Sequence, residues 1–372
     1  MVKIIKKEVK LIELFYDLLY VYAISQLTSL INEPVGDMVP LGSIFVYVIT
    51  SFVILQAWLY FTNYVNRYGE WKGYEYVLAC VNMIAVIFMT NTISTHLSDM
   101  LLPFNVSMLI LLLTVVALYS VRAYDEKSLS GAAGNSITIL SIVCAIYVIA
   151  IIALLQGFGD IVIWIDVVAV LCGAFLPFFI RGKFDKNIIN FPHLVERFEL
   201  LTIITFGEAI VGMTHFFDVS NLTLIPILVF LIIITMFGCY VVQIHELMSH
   251  FRQERSLRLM FSHYFVIISI NLMTVAFELL HSGHVNHLFN AVLIIISLIV
   301  FYVSIMANKE YYADGVVLSV KEIIEMLIFI IIGAGVILLF LDNIYAFLIG
   351  ALIITAGNLF VLVEKLRSFP GK

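Results

Sequence analysis

Apolar runs of about twenty residues follow one another along the whole chain, and they restrict its fold more than any other feature. At 1.5 Å of rise per residue, such a run matches the roughly 30 Å hydrocarbon core of a bilayer; a barrel strand would instead alternate polarity over about ten residues. The composition agrees, with 62% hydrophobic and only 12% charged residues, where a soluble domain is about half apolar and a quarter charged. The expectation is an all-α, polytopic integral membrane protein whose first partner is the lipid bilayer. Twelve spans are predicted, at about 11–31, 41–65, 74–95, 104–123, 135–156, 160–180, 194–214, 222–246, 257–279, 287–307, 321–341 and 344–366.

The net charge of −6 comes without a basic face or a recognition module, which argues against nucleic acid as a partner. Cys80, Cys144, Cys172 and Cys239 each lie in an apolar run and form no C-x-x-C pair, so they read as small buried hydrophobes. Lys3, Lys6, Lys7 and Lys10 precede the first run as they would in a signal peptide. That run contains Glu13 and Asp17 and lacks a small-x-small cleavage site, so it is read as a retained helix.

Lys and Arg concentrate in cytoplasmic loops of membrane proteins. Placed on the twelve spans, all 20 basic residues fall on one face, from Lys3–Lys10 through Arg67, Arg122, Arg181, Arg252 and Lys309 to Lys372. The predicted setting is therefore the cytoplasmic membrane, with both termini cytoplasmic.

The chain also divides. Glu13-Leu14-Phe15 and Glu196-Arg197-Phe198 open the first and seventh spans, 183 positions apart, and the same shift carries spans three, four and six onto nine, ten and twelve. An even number of spans per copy makes the copies parallel. The expected organisation is two parallel six-helix repeats, residues 1–183 and 184–372, within one membrane domain, with spans one and seven nearest the repeat axis.

The stretches LIELFYDLLYVYAISQL and HLVERFELLTIITFGEAIVGM, together with AWLYFTNYVNRY at the end of span two, resemble the signature helices of the bacterial low temperature requirement protein A (LtrA) family. The resemblance runs the length of the chain. It implies a polytopic bacterial membrane protein linked to growth in the cold, and it brings no settled substrate or reaction. Two departures stand out: Glu199 occupies a position usually small, and the acidic loop after Asn66-Arg67 is reduced to Gly69-Glu70-Trp71.

Ionisable residues inside spans are costly in hydrocarbon and mark functional candidates. Glu13 and Asp17 are four residues apart and share one helix face, with Tyr20 following one turn later. Two carboxylates so close demand a proton or a cation between them. The solvated alternative places both at the interface, near the positive end of the helix. On span seven, Arg197 and Glu208 line one stripe, about 20° apart on the wheel and about 16 Å apart along the axis. Thr205, Ala209 and Gly212 give that helix a small surface for close packing. His193, Glu196 and Glu199 form a ladder on another side. Glu208 is expected deepest, near mid-membrane, as a protonatable or cation-binding group faced by Asp17 or Glu13 of the related repeat, or as a structural carboxyl. Arg197 is either an interfacial anchor or a partner of Glu13.

Span nine adds a secondary polar stripe of Asn271, Thr274 and Glu278, with His263 earlier on the same helix. Asp166, Glu325, Asn82 and Asn91 are isolated polar candidates. Glu278, His281, His284 and His287 recur every three residues, a spacing that holds a metal only if the helix continues through Gly283. Solvated loop histidines are the simpler reading, and no metal site is expected.

No nucleotide loop, nucleophile elbow or dinucleotide fingerprint appears, so neither an enzyme nor a cofactor is expected. The leading function is transport of a small solute or ion, coupled to protons through intramembrane carboxylates. The alternatives are a cation or proton channel built from two six-helix repeats, and a membrane enzyme or lipid-binding scaffold. Oligomeric state is left open, a homo-oligomer included.

Overall fold

Each predicted run becomes a helix in the computed structural model, which describes residues 7–94, 97–127, 131–180, 189–217, 223–252, 256–283 and 285–369. The twelve helices are α1 (Leu11–Leu27), α2 (Leu41–Tyr68), α3 (Gly73–Asn91), α4 (Leu97–Asp125), α5 (Ala132–Leu155), α6 (Val162–Ile180), α7 (Phe191–Gly212), α8 (Ile225–Tyr240), α9 (Leu257–Ser282), α10 (His287–Met306), α11 (Val320–Leu339) and α12 (Ile344–Arg367). Over the described residues, ten of them are long and apolar enough to cross a membrane. The two outside that set are α1, with 17 residues, and α7, with four charged residues. They are the two helices the sequence singles out.

The helix ends follow from local chemistry. Ser319 and Glu322 exchange backbone hydrogen bonds at the start of α11, and Asn343 Oδ1 accepts from the Tyr345 and Ala346 amides at the start of α12. Helix α9 stops at Gly283, whose φ of +66° is open to glycine at little cost. Helix α4 begins earlier than the apolar run, at Leu97, so Pro103 lies inside it and not at its end. The extra turn carries Ser98 and Asp99, which a hydrophobicity pattern does not count.

The chain forms two compact units. Unit 1 comprises Met1–Leu30, Leu41–Leu194 and Gln253–Arg255; unit 2 comprises Ile31–Pro40, Val195–Arg252 and Ser256–Lys372. In unit 1, α1 packs on α2 and α3, α3 to α6 pack in succession, and α2 also meets α4 and α6. In unit 2, the successive pairs α9/α10, α10/α11 and α11/α12 pack together, and α8 meets α12. The α11/α12 crossing depends on glycine. A Cβ on Gly333 would stand 2.4 Å from the Gly350 carbonyl oxygen, a contact that only backbone displacement relieves.

Helix α1 is amphipathic in the sense opposite to a soluble helix. Glu13, Tyr16, Asp17, Tyr20, Ile24 and Leu27 are buried, while Leu11, Phe15, Leu18 and Tyr22 are exposed. An apolar outer face and a polar inner face suit a helix whose surroundings are hydrocarbon.

Candidate functional site

In unit 1 the polar face of α1 meets side chains from α2, the α2–α3 loop and the start of α7. Glu13 and Asp17 have no solvent exposure. A bare carboxylate there would be strongly destabilising, so each must find donors or a proton. Glu13 Oε1 accepts from the Trp71 indole at 3.1 Å, and Oε2 lies 3.0 Å from His193 Nε2. Asp17 Oδ1 accepts from the Trp58 indole at 2.6 Å.

The tautomer of His193 follows from its neighbours. Asn66 clamps the backbone of Asn190: its Nδ2 donates to the Asn190 carbonyl at 2.8 Å, and its Oδ1 accepts from the Asn190 amide at 3.2 Å. That fixes the orientation of the Asn66 amide. Its second N–H points at His193 Nδ1, 3.1 Å away. Nδ1 therefore accepts, and the neutral imidazole carries its proton on Nε2, aimed at Glu13. Asn190 in turn caps α7, because its side chain accepts from the His193 amide at 3.1 Å, and Pro192 falls in the first turn, where no amide donor is needed.

Trp71 reaches Glu13 from a left-handed backbone, φ +61°, an outlying conformation for a bulky side chain. Conformations of this kind cost about 1–3 kcal/mol and persist where surrounding contacts demand them. Here the indole bond to Glu13 and an edge contact with Phe61, centroids 6.5 Å apart, hold it in place. Beside it Lys7 donates to the Val65 and Gly69 carbonyls at the end of α2, a cation at a helix C-terminus. On the surface of the same loop, Lys72 pairs with Glu70 at 2.9 Å and holds that carboxyl below its ordinary range.

A second layer extends the polar face of α1. Tyr16 donates to Asn82 Oδ1 at 2.9 Å, and Asn82 donates to Thr114 Oγ1 at 2.6 Å and to the Leu111 carbonyl at 3.1 Å. Asp166 lies apart, at an apolar pocket lined by Val46, Val53 and Phe104, with one oxygen 3.3 Å from Asn105 Nδ2.

Unit 2 holds the other candidates. Arg197 is fully buried, whereas Glu196, Glu199 and Glu208 are half-buried. Glu208 lies four residues before the end of α7, with exposed Gly207 and Ile210 beside it, so it stands nearer one end of the helix than its middle. The His193, Glu196, Glu199 ladder does not act as one set: His193 turns to Glu13, and Glu199 Oε1 sits 3.0 Å from His245 Nδ1 and 3.8 Å from His250 Nε2.

In the secondary stripe, Glu278 Oε2 accepts from Asn32 at 2.6 Å, Thr274 bonds back to the Ile270 carbonyl, and Asn271 is buried. Helix α7 meets this stripe at Gly212, where a Cβ would stand 2.8 Å from Thr274 Cγ2. His263 is satisfied in place by Tyr240 and the Leu259 carbonyl. Glu325 pairs with Lys321 at 3.6 Å, one turn away on α11.

The three-residue ladder of Glu278, His281, His284 and His287 is interrupted. His281 ends α9 against Phe216, Gly283 turns the chain, and His287 opens α10 paired to Asp342 at 3.0 Å. His284 lies outside the described residues.

Sequence reasoning named Glu13, Asp17 and His193 but did not bring His193 to Glu13, nor Trp58 and Trp71 to the two acids. It also missed the cluster of Glu199, His245 and His250, whose donor atoms lie within 4.8 Å of one another. The sequence model of the bacterial low temperature requirement A protein family matches residues 8–362. Neither a curated protein nor a solved structure matches the chain.

Proposed function

Because the chain belongs to the bacterial low temperature requirement A family, we propose that it is a multi-pass membrane transporter of a small solute or ion. Its coupling protons bind at the acids of α1. The observation that carries this reading is the burial of Glu13 and Asp17 on one face of α1, with His193 in hydrogen-bond contact with Glu13. With its proton on Nε2, His193 donates to the Glu13 carboxylate at 3.0 Å and favours its charged form, so a proton that reaches this site binds the carboxylate itself. Buried ionisable side chains in a membrane helix are retained where they handle charge.

In this reading the chain crosses the cytoplasmic membrane twelve times as two six-helix repeats of like topology. Corresponding helices begin between 180 and 190 positions apart throughout, from α1/α7 to α6/α12. Each unit also shares an adjacency order: α3/α4, α4/α5, α5/α6 and α2/α6 in one, α9/α10, α10/α11, α11/α12 and α8/α12 in the other. Both termini are cytoplasmic, on the side that holds the lysines and arginines. The proton on Asp17 or Glu13 is taken up from one side and released to the other after a conformational change, and that cycle drives the solute. In unit 2, Arg197 and Glu208 serve the solute or a second ion.

The test is reconstitution of the purified protein in liposomes with dyes for pH and for monovalent ions. Flux above empty vesicles that is slowed by Glu208→Gln and by Asp17→Asn supports transport. Absence of flux for protons, cations and anions alike overturns it.

A further inference from the structure

We propose that Glu199, His245 and His250 form a binding site for one divalent transition-metal ion, with Zn2+ the best fit. Two imidazoles and one carboxylate are a donor set suited to zinc, whereas Mg2+ and Ca2+ take oxygen donors throughout. The spacing fits too. A tetrahedral ion with bonds of about 2.0–2.1 Å sets its ligand atoms about 3.3–3.4 Å apart. Glu199 Oε1 stands 3.0 Å from His245 Nδ1 and 3.8 Å from His250 Nε2, which bracket that value, and all three donor atoms lie within 4.8 Å of one another.

The three ligands arrive on fixed supports. Glu199 belongs to α7. His245 lies in a π-helical turn, Val241–Glu246, that follows α8, marked by the Leu247 amide bonding to the Val242 carbonyl at 2.9 Å. Turns of this kind are rare and concentrate at functional sites. His250 follows in a segment held by two backbone bonds, Ser249 to the Tyr311 carbonyl and Ala313 to the Leu247 carbonyl, both at 2.8 Å. Buried Gln243 anchors the turn from inside by accepting from Tyr312 at 2.9 Å.

The site is open on one side. The His245 side chain is 54% exposed and that of Glu199 14%, so an ion can enter and keep a fourth position for water. Binding requires each ring to carry its proton on the nitrogen away from the ion: Nε2 of His245 and Nδ1 of His250. His250 Nε2 lies 3.1 Å from the Ile244 carbonyl, a bond the ion replaces. The bound ion ties α7, two residues beyond Arg197, to the end of α8.

The experiment uses the full chain in detergent, stripped with a chelator, and titrates Zn2+ alone by calorimetry. One ion per chain is expected, and Co2+ in its place should show the strong visible bands of a four-coordinate centre. His245→Ala, His250→Ala and Glu199→Gln should each weaken Zn2+ binding by a factor of about ten or more. His287→Ala, at the Asp342 pair, should leave it unchanged. The Co2+ spectrum of the unsubstituted protein keeps the test independent of how any variant folds. The proposal is overturned if Zn2+ does not bind at neutral pH, if it binds no better than Mg2+, or if a His245→Ala/His250→Ala double variant binds it with unchanged affinity. Because binding and not flux is read, failure here leaves the transport reading standing, and the reverse also holds.

Discussion

Replacing Glu13 by glutamine tests the geometry of the α1 site through a conflict between donors. Among the described contacts of the carboxylate, the Trp71 indole donates to Oε1 at 3.1 Å and the His193 Nε2 faces Oε2 at 3.0 Å. Glutamine offers one acceptor oxygen and one NH2 group, so it can satisfy only one of the two. His193 cannot escape by changing tautomer, because its Nδ1 already accepts from Asn66. One buried donor therefore meets another donor, at a cost of about 1–3 kcal/mol. The informative measurement is a double-mutant cycle with Trp71→Phe. That change removes the indole N–H, so the glutamine oxygen can turn to His193. The Lys10 amide remains nearby, at a marginal 3.4 Å from Oε1. In the Trp71→Phe background, Glu13→Gln should cost about 1–2 kcal/mol less than in the parent, read from reversible unfolding in mixed micelles. Additive effects, within about 0.5 kcal/mol, would refute the donor conflict and with it the assigned tautomer.

Three further outcomes follow from the same structure. Gly333→Ala should lower the unfolding midpoint and cost at least about 1–3 kcal/mol, since its new Cβ meets the Gly350 carbonyl of α12 and not a movable side chain. Asn82→Ala should cost about 1–3 kcal/mol in the same unfolding assay, because it removes the buried bonds to Tyr16, Thr114 and the Leu111 carbonyl and leaves the Tyr16 hydroxyl to the Tyr20 hydroxyl at 3.1 Å. Asn66→Ala should loosen the start of α7, seen as faster amide hydrogen exchange at His193 and Leu194, because it removes both bonds to the Asn190 backbone; unchanged exchange there would count against the clamp.

The helices were legible because a bilayer leaves a strong signature in one dimension: twenty apolar residues in a row. Where polar residues extend a helix, as Ser98 and Asp99 do at α4, that signature falls short. The shared face of Glu13 and Asp17 was also legible, since i and i+4 neighbours follow from helix geometry alone. Their partners were not. Glu13 and His193 lie 180 positions apart, and nothing local to either announces the other. His245 and His250 escaped notice for a related reason: a π-helical turn and a clamped loop bring them to Glu199, and neither leaves a periodic pattern. The regular ladder of Glu278, His281, His284 and His287 looked more like a ligand set in sequence, yet Gly283 ends the helix that would have aligned it. The grouping of residues 31–40 with unit 2 likewise depends on contacts distant in sequence, such as Asn32 with Glu278 and the Asn286 amide with the Asp37 carbonyl.

The central claim is that the acids of α1 bind the coupling proton, and Asp17→Asn tests it most directly. Asparagine keeps an oxygen for the Trp58 indole, so the bond at 2.6 Å survives while one of the two acids of the site is lost. In liposomes with a clamped membrane potential, the unsubstituted protein should acidify the lumen when a proton gradient is imposed, and the Asp17→Asn protein, folded by its unfolding midpoint, should not. Equal acidification by the unsubstituted protein, the Asp17→Asn protein and a Glu13→Gln/Asp17→Asn double variant would contradict the account.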